Sequence, residues 1–310
     1  MPHYYVLSSE IARARTMYQP IVALESTVIT HGLPYPDNIR LAQDMEAQVR
    51  GLGAIPATIA VVDGRICVGL NKNELEKLGQ GSEVLKISAR DIAPAVACGA
   101  SGGTTVAATM TIAHTVGIQV FATGGIGGVH RQPPGSNKPV EDVSADLEQL
   151  ARVPIVVVCA GVKAILDIPA TLERLETLSV PVVGYETEDF PAFYSRRSGY
   201  PTGARADRPE DVAKIAQTHW ALGMRSAVLV AVPPPEDTAL AHENVDGAIE
   251  QALQEAFDRE VRGQEVTPFL LKRVSELTGG DSLRANLGLL LNNARVASMI
   301  ARYIAQYYRL

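Results

Sequence analysis

The sequence has little cysteine, and its placement excludes two common kinds of site. Its three cysteines, Cys67, Cys98 and Cys159, lie far apart in apolar surroundings. Scattered cysteines of this kind are typical of reduced, buried thiols in a cytoplasmic protein rather than of a disulfide framework. No CxxC or HxxxH spacing is present, and this argues against a structural zinc site.

The sequence also lacks an excess of positive charge and any long apolar run. Its 28 Lys and Arg against 34 Asp and Glu give a formal net charge of −6, without a basic cluster. Nucleic-acid binding, which needs clustered cations, is therefore not expected. No stretch approaches the roughly 18 uncharged apolar residues of a membrane span. Residues 1–15 lack the order of a signal peptide, so we expect a cytoplasmic protein with no membrane partner.

What the sequence does have is an alternation of apolar, strand-length runs with helical patterns. It predicts strands at 20–24, 86–88, 118–123, 154–159, 180–184 and 227–232, and a hairpin at 58–70. It predicts helices at 36–52, from about 91, after the glycine turn of 99–103, at 144–152, 168–179, 209–223, 242–262 and 282–308. This alternation predicts an α/β fold, layered α/β/α, with a largely parallel sheet flanked by helices. No repeat or linker interrupts it, so a single domain over residues 1–310 is expected.

Polar residues follow several of these predicted strands, at the edge where open α/β sheets bind ligands. They are Glu25, Lys86, Thr123 with its following glycines, and Lys163. Each could equally be an ordinary loop or surface residue. GGTT at 102–105 opens a predicted helix, and its backbone amides would suit a phosphate. The segment matches neither GxGxxG nor a P-loop.

Lys163 is the hardest of these residues to explain as a surface lysine. Val162, Ala164 and Ile165 surround it, and a surface position would expose them to water. Apolar surroundings disfavour the charged form of an amine, which is one way to make a Schiff-base nucleophile. The sequence thus suggests covalent chemistry at Lys163.

A second group of residues suggests a metal site. Asp142 and Asp146 stand close together, with Glu141 beside them. Carboxylate oxygens suit a hard divalent ion. One or two carboxylates need water or a substrate phosphate to complete the ligand shell, and Asp146 could instead be a favourable charge in the first turn of a helix.

Taken together, the motifs resemble those of the pseudouridine-5′-phosphate glycosidases, a family that includes the indigoidine synthase A-like proteins. The resemblance covers essentially the whole chain and rests on ALESTVITHGLPYP (23–36), GAIPATIAVVDGRICVGL (53–70), KISARD (86–91), GASGGTTVAATM (99–110), FATGGIGGVHR (121–131), DVSADL (142–147), VVCAGVKAILD (157–167) and LLLNNARVA (289–297). It implies reversible cleavage of pseudouridine 5′-phosphate to uracil and ribose 5-phosphate. It also implies a divalent metal, typically Mn²⁺, and a homotrimer.

The resemblance also assigns roles to individual residues. Lys163 matches the nucleophile of the family, Glu25 its proton donor and Asp142 its metal ligand. The residues that match substrate-contacting positions or motifs are Lys86, Thr105, Val106, Thr123, His130, Ser144, Ala145, Asp146 and Asn286. Of these, His130 could equally be a loop residue, and Asn286 a satisfied core amide.

The implied chemistry explains why a lysine would be needed. The bond between uracil and ribose is carbon–carbon, and a carbon leaving group gains little from the protonation that ordinary glycosidases use. An opened sugar attached to Lys163 could instead release uracil in a retro-aldol-like step, with Glu25 moving protons. The alternatives are a Schiff-base aldolase acting on a sugar phosphate, a branch of the family in pigment pathways that accepts another base, and a non-enzymatic regulator that binds a sugar phosphate.

Overall fold

The computed structural model describes residues 2–81, 83–131, 142–261, 263 and 266–307, with only the backbone of residues 242–244. The strands are β1 Tyr5–Leu7, β2 Ile21–Leu24, β3 Ile55–Val62, β4 Arg65–Val68, β5 Leu85–Ile87, β6 Gly102–Thr104, β7 Val120–Ala122, β8 Val129–His130, β9 Val156–Cys159, β10 Leu166–Asp167, β11 Val182–Tyr185, β12 Ala204–Ala206 and β13 Val228–Ala231. The helices are α1 Ser9–Thr16, α2 Asp37–Gly51, α3 Lys72–Gln80, α4 Ile92–Ala97, α5 Val106–Thr115, α6 Ala145–Leu150, α7 Ile168–Thr177, α8 Pro209–Ala221, α9 His242–Asp258, α10 Val266–Leu277 and α11 Asp281–Tyr307. A π-helical turn spans Val28–Gly32 and a 3-10 turn spans Ala89–Asp91.

One large sheet organises the described part of the chain. Its strand order is β1-β4-β3-β2-β7-β9-β13-β11-β12, with β6 paired to β3 and β5 paired to β6. The five strands from β2 to β11 in this order are mutually parallel, whereas β3 is antiparallel to β4 and β6. The predicted α/β fold with a largely parallel sheet flanked by helices is confirmed.

The central strands were recognisable because they are buried on both faces. β2, β7, β9 and β13 are fully buried along their lengths, and such strands appear in a sequence as continuous apolar runs. The predicted hairpin at 58–70 is also confirmed, as β3 and β4 pair antiparallel around residues 63 and 64.

Helix α11 covers the centre of the sheet. It packs against β2, β7 and β9 and lies beside α2 and α8, while α5 packs on β2 and β3 and against α6. Leu289 and Leu290 are among the buried residues of α11, and burying a leucine side chain contributes about 1.5–3 kcal/mol to stability. Among the described residues, no helix has both the length and the apolar character that a membrane crossing requires.

One expectation about secondary structure and one about burial are wrong in this structure. Gly102–Thr104 forms β6 rather than a glycine turn, because these buried residues pair with β3 on one side and β5 on the other. Cys67 and Cys159 are buried and free, as expected, but Cys98 is exposed. Cys98 caps the short helix α4, which buries only Ala95.

Candidate functional site

The predicted catalytic residues meet at the carboxyl ends of adjacent parallel strands. Glu25 follows β2, and Lys163 lies in the loop after β9, with β7 between these two strands. Both residues line one pocket with Lys86, Thr105 and Asn286. The location agrees with the general rule for ligand sites in open α/β sheets. The structure thus brings together five residues that are distant in the sequence.

Glu25 is a buried carboxyl with a direct hydrogen-bond partner. The Thr123 hydroxyl, at the end of β7, donates to Glu25 Oε1. Burial raises the pKa of Glu25, and the positive charge of Lys163 and the Thr123 hydrogen bond oppose that rise. Asp146 raises this pKa further, and Lys86 lowers it. A carboxyl that keeps its proton to higher pH suits a general acid.

The backbone around Lys163 is fixed by the glycine-rich segment 124–128. The Lys163 amide donates to Ile126 O at 3.1 Å, and the Ile126 amide donates to Gly161 O at 3.0 Å. Gly161 has φ +91°, and a Cβ there would lie 2.4 Å from Pro191 O. Only glycine fits these two conditions, so the turn before Lys163 depends on Gly161.

The surroundings of Lys163 contradict its interpretation as a surface lysine. Val162, Ala164 and Ile165 are buried, whereas Lys163 itself is half-buried and lines the pocket. Its apolar neighbours therefore face the core while the amine reaches the pocket. Such a placement leaves an amine accessible to a small molecule but shielded from bulk water.

Residues 144–146 hold two other segments together. Asp146 Oδ1 accepts from the Ala107 amide and Oδ2 from the Gly127 amide, each at 2.8 Å. Ser144 caps α6 by accepting from the Asp146 amide at 3.2 Å, and Ala145 is exposed. The stretch thus joins the start of α5 to the loop at 124–128. Direct substrate binding by Ser144, Ala145 and Asp146 remains a prediction.

The expected phosphate cradle of backbone amides is largely occupied by the protein itself. The Thr104 amide donates to Ser26 Oγ at 2.9 Å, and the Thr105 amide donates to Ile87 O at 2.9 Å. The amides of Thr104 and Thr105 are therefore not available to a phosphate. The Thr105 side chain lines the pocket. The Val106 side chain is fully buried, so any substrate contact by Val106 would use its backbone.

His130 interacts electrostatically with both lysines of the site. It forms part of β8, which pairs with β10. Burial lowers the pKa of His130, Asp142 raises it, and the charges of Lys163 and Lys86 lower it. The lysines therefore lie within electrostatic reach of the imidazole. His130 Nε2 is 3.8 Å from Asp142 Oδ2.

The described residues offer few ligands for a metal ion. They contain no group of three His, Cys, Asp or Glu side chains that could hold one, and Glu141 lies outside them. Both oxygens of Asp146 are engaged by amides, so Asp146 does not fit the ligand role that the sequence suggested. Asp142, with a side chain 62% exposed, fits a single-carboxylate ligand whose shell is completed by water or substrate oxygens.

Several pocket residues were not predicted from the sequence. The set comprises Val28, His31, Gly32, Phe193, Thr267, Pro268, Leu271 and Leu290. Phe193 has φ +60°, an unusual conformation for a bulky residue that tends to occur at functional sites. Thr267, Pro268 and Leu271 belong to α10, which was missed. The four-residue spacing of Val266, Leu270 and Val274 is the helical signal that could have revealed it.

Comparison with known proteins gives full-length matches. The family model described as "Indigoidine synthase A like protein" matches residues 10–303. The pseudouridine-5′-phosphate glycosidase of Caldanaerobacter subterraneus subsp. tengcongensis is 49% identical over 309 residues, covering 100% of this chain and 99% of its own. The pseudouridine-5′-phosphate glycosidase 2 of Rhizobium johnstonii is 53% identical over 295 residues, with 95% and 94% covered.

Solved structures show the same fold. The prealnumycin C-glycosynthase AlnA, in complex with ribulose 5-phosphate, superposes with a TM-score of 0.90 at 38% identity, covering 100% of this chain and 99% of that one. An indigoidine synthase A-like protein from Thermotoga maritima superposes with a TM-score of 0.88 at 37% identity, with 98% of each chain covered.

Proposed function

Because this chain belongs to the family of indigoidine synthase A-like proteins, we propose that it reversibly cleaves the C-glycosidic bond of pseudouridine 5′-phosphate to give uracil and ribose 5-phosphate. The observation that carries this proposal is the pocket shared by Lys163 and Glu25 at the carboxyl ends of the central strands. The full-length relatives of this chain at 49% and 53% identity are pseudouridine-5′-phosphate glycosidases, and this chain is an enzyme of the same class.

Lys163 is the nucleophile in this proposal. Its neutral amine forms a bond to C1′ of the ribose as the bond from C1′ to the ring oxygen breaks, and that oxygen takes up a proton. The bond between C1′ and uracil C5 then breaks, its electron pair stays on C5 and is protonated, and an iminium remains between Lys163 and C1′. Water hydrolyses the iminium, releasing ribose 5-phosphate and the free lysine.

Glu25 supplies and accepts the protons of these steps. Because its pKa is raised, the Glu25 carboxyl keeps its proton to a higher pH and can then act as an acid. Lys86 and Thr105 lie in the same pocket and offer an ammonium and a hydroxyl to the phosphate. Asn286 lines the pocket from α11, which favours a substrate-binding amide over a core amide. His130, near Lys163, supplies a further hydrogen-bonding group.

The proposal extends to a metal and an assembly. Asp142 would hold Mn²⁺ together with water or substrate oxygens, and the bound ion would supply positive charge for the phosphorylated substrate. The enzyme works as a homotrimer in the cytoplasm, without a nucleic-acid or membrane partner. These features follow the family resemblance and the absence of basic clusters in the sequence.

Reductive trapping tests the proposal. The protein is incubated with ribose 5-phosphate, reduced with borohydride, and mapped by peptide mass spectrometry. We expect a reduced ribose-phosphate adduct on Lys163, which Lys163→Arg abolishes while leaving any slow labelling of surface lysines unchanged. Uracil added before reduction should lower the trapped fraction, because it diverts the adduct to product.

The outcomes separate the proposal from its rivals. A Schiff-base aldolase would form the adduct on Lys163, but uracil would leave the trapped fraction unchanged. A sugar-phosphate-binding regulator would bind ribose 5-phosphate and give no adduct on Lys163 beyond the slow labelling of surface lysines. Either result would overturn the glycosidase proposal.

A further inference from the structure

Helix α11 places a buried asparagine against the end of β7. Asn293 Nδ2 donates to Thr123 O at 2.8 Å and to Gly124 O at 3.3 Å. Asn293 is fully buried, and its Oδ1 has no hydrogen-bond partner in the described part of the chain. An unpartnered buried carbonyl costs free energy that a leucine of similar shape would avoid. The two hydrogen bonds from Nδ2 are therefore the feature that distinguishes Asn293 from an apolar core residue.

The carbonyls that Asn293 holds belong to the turn that carries Thr123. On its other side this turn is fixed by β9, because the Thr123 amide donates to Val158 O at 3.0 Å and the Ala160 amide donates to Gly124 O at 2.9 Å. The Thr123 hydroxyl donates to Glu25. A chain of contacts thus runs from Asn293 through the Thr123 backbone to the carboxyl in the pocket.

We propose that Asn293 is a positioning residue: by holding the Thr123 and Gly124 carbonyls, it keeps the Thr123 hydroxyl directed at Glu25 during proton transfer. This inference rests on the proposed function. The charged groups around Glu25 come from other elements and are Lys163, Lys86 and Asp146, with His31 in the same pocket. The contact between Thr123 and Glu25 is a direct hydrogen bond from a side-chain hydroxyl.

The helix does not depend on Asn293 to stay on the sheet. Leu289 and Leu290 are buried beside Gly124, and a Cβ at Gly124 would lie 3.2 Å from Leu290 Cδ2 and 3.4 Å from Leu289 Cδ1. These apolar contacts remain in a variant at position 293. A folded variant with altered chemistry is therefore the expected result.

The adjacent asparagine provides a matched control. Asn292 Nδ2 donates to Pro233 O at 3.3 Å, so Asn292→Leu also removes a contact between the helix and a backbone carbonyl, but not one at Thr123. We expect Asn293→Leu to lower kcat for uracil release about ten- to a hundred-fold, since small misplacements of reacting groups have effects of this size. KM should change less than about three-fold. Asn292→Leu should keep the kcat of the wild type.

A double-mutant cycle with Thr123→Val isolates the positioning role from stability. If Asn293 acts through Thr123, adding Asn293→Leu to Thr123→Val should lower kcat little further. Additive losses, or a wild-type kcat in Asn293→Leu, would overturn the inference. Should Asn293→Leu fail to fold, Asn293→Ala, which is smaller and also uncharged, enters the same cycle. A wild-type protein that releases no uracil would overturn the proposed function as well, so the two failures are distinguishable.

Discussion

The Thr123 hydroxyl donates a hydrogen bond to the buried carboxyl of Glu25. The two residues follow neighbouring parallel strands, β7 and β2, so the contact is a consequence of strand order. Burial is the largest influence on the pKa of Glu25 and raises it, against the opposing effects of Thr123 and Lys163. Keeping this carboxyl out of water should therefore cost the folded protein some stability.

We expect Glu25→Gln to remove this cost while abolishing activity. The pKa of Glu25 is raised in the folded state, so the unfolded chain loses its proton first as the pH rises above about 4. The free energy of unfolding of the wild type therefore falls between this pH and the folded pKa. The stability of Glu25→Gln relative to wild type should grow from pH 4 to pH 7, and kcat should fall by about 10² or more.

Urea unfolding at pH 4 and pH 7 measures this difference. Glu173→Gln changes an exposed carboxylate and serves as the control, for which no such growth is expected. If the stability difference between Glu25→Gln and wild type is the same at both pH values, burial of the Glu25 carboxyl does not destabilise the folded protein.

Gly161→Ala, in the turn before Lys163, should lower the stability of the protein more than Gly99→Ala does. Gly161 and Gly99 both have positive φ, +91° and +68°, and an alanine in that region costs about 1–2 kcal/mol. A Cβ at Gly99 meets open space, whereas one at Gly161 would lie 2.4 Å from Pro191 O. We expect Gly161→Ala to lose stability well beyond Gly99→Ala and to reduce trapping at Lys163. Equal unfolding midpoints for the two variants would contradict this.

Asp142→Ala should weaken Mn²⁺ binding. Asp142 is the exposed carboxylate of the proposed metal site, since Asp146 is engaged by two amides. Calorimetric titration of metal-free protein with Mn²⁺, in the presence of ribose 5-phosphate, should show binding in the wild type and at least about ten-fold weaker binding in the variant, because the remaining ligands would be water and sugar-phosphate oxygens. Asp189→Ala, in a different loop, should titrate like the wild type. Unchanged binding in Asp142→Ala would place the metal elsewhere.

Thiol labelling should distinguish the three cysteines. Burial is the main cause that raises the pKa of Cys67 to about 12 and that of Cys159 to about 12, and the thiolate is the reactive form. Cys98 is exposed. Iodoacetamide applied to the native protein should label Cys98 well before the other two, and all three after unfolding in urea. Early labelling of Cys159 would show that the core of β9 opens to solvent.

The sequence allowed the central sheet to be predicted because those strands are buried on both faces. Their apolar runs need no information from distant residues to be recognised. Glu25 and Lys163 could be proposed for the same reason, since each stands where such a run ends. The residue pattern alone left the role of Lys163 open, and the family resemblance supplied it.

The remainder of the site depends on contacts between distant segments. Asp146 meets the Ala107 amide across 39 residues, and Asn293 meets Thr123 O across 170. The local sequence around an aspartate or an asparagine does not indicate which distant backbone groups its side chain will bind. β6 was mistaken for a turn because its strand pairing with β3 and β5 outweighs the turn tendency of its glycines. Tertiary packing therefore decides whether such a segment forms a strand or a turn.

The position of α11 has a consequence for the newly made chain. A ribosome produces β2, β7 and β9, with Glu25, Thr123 and Lys163, long before it produces the helix that covers them. Until then, one apolar face of the central strands is open to water and to other chains, as in the aggregation-prone intermediates of large domains. Asn286 and Leu290 of α11 line the pocket with Lys163, so an unfinished chain should present this amine without the selectivity of the finished pocket.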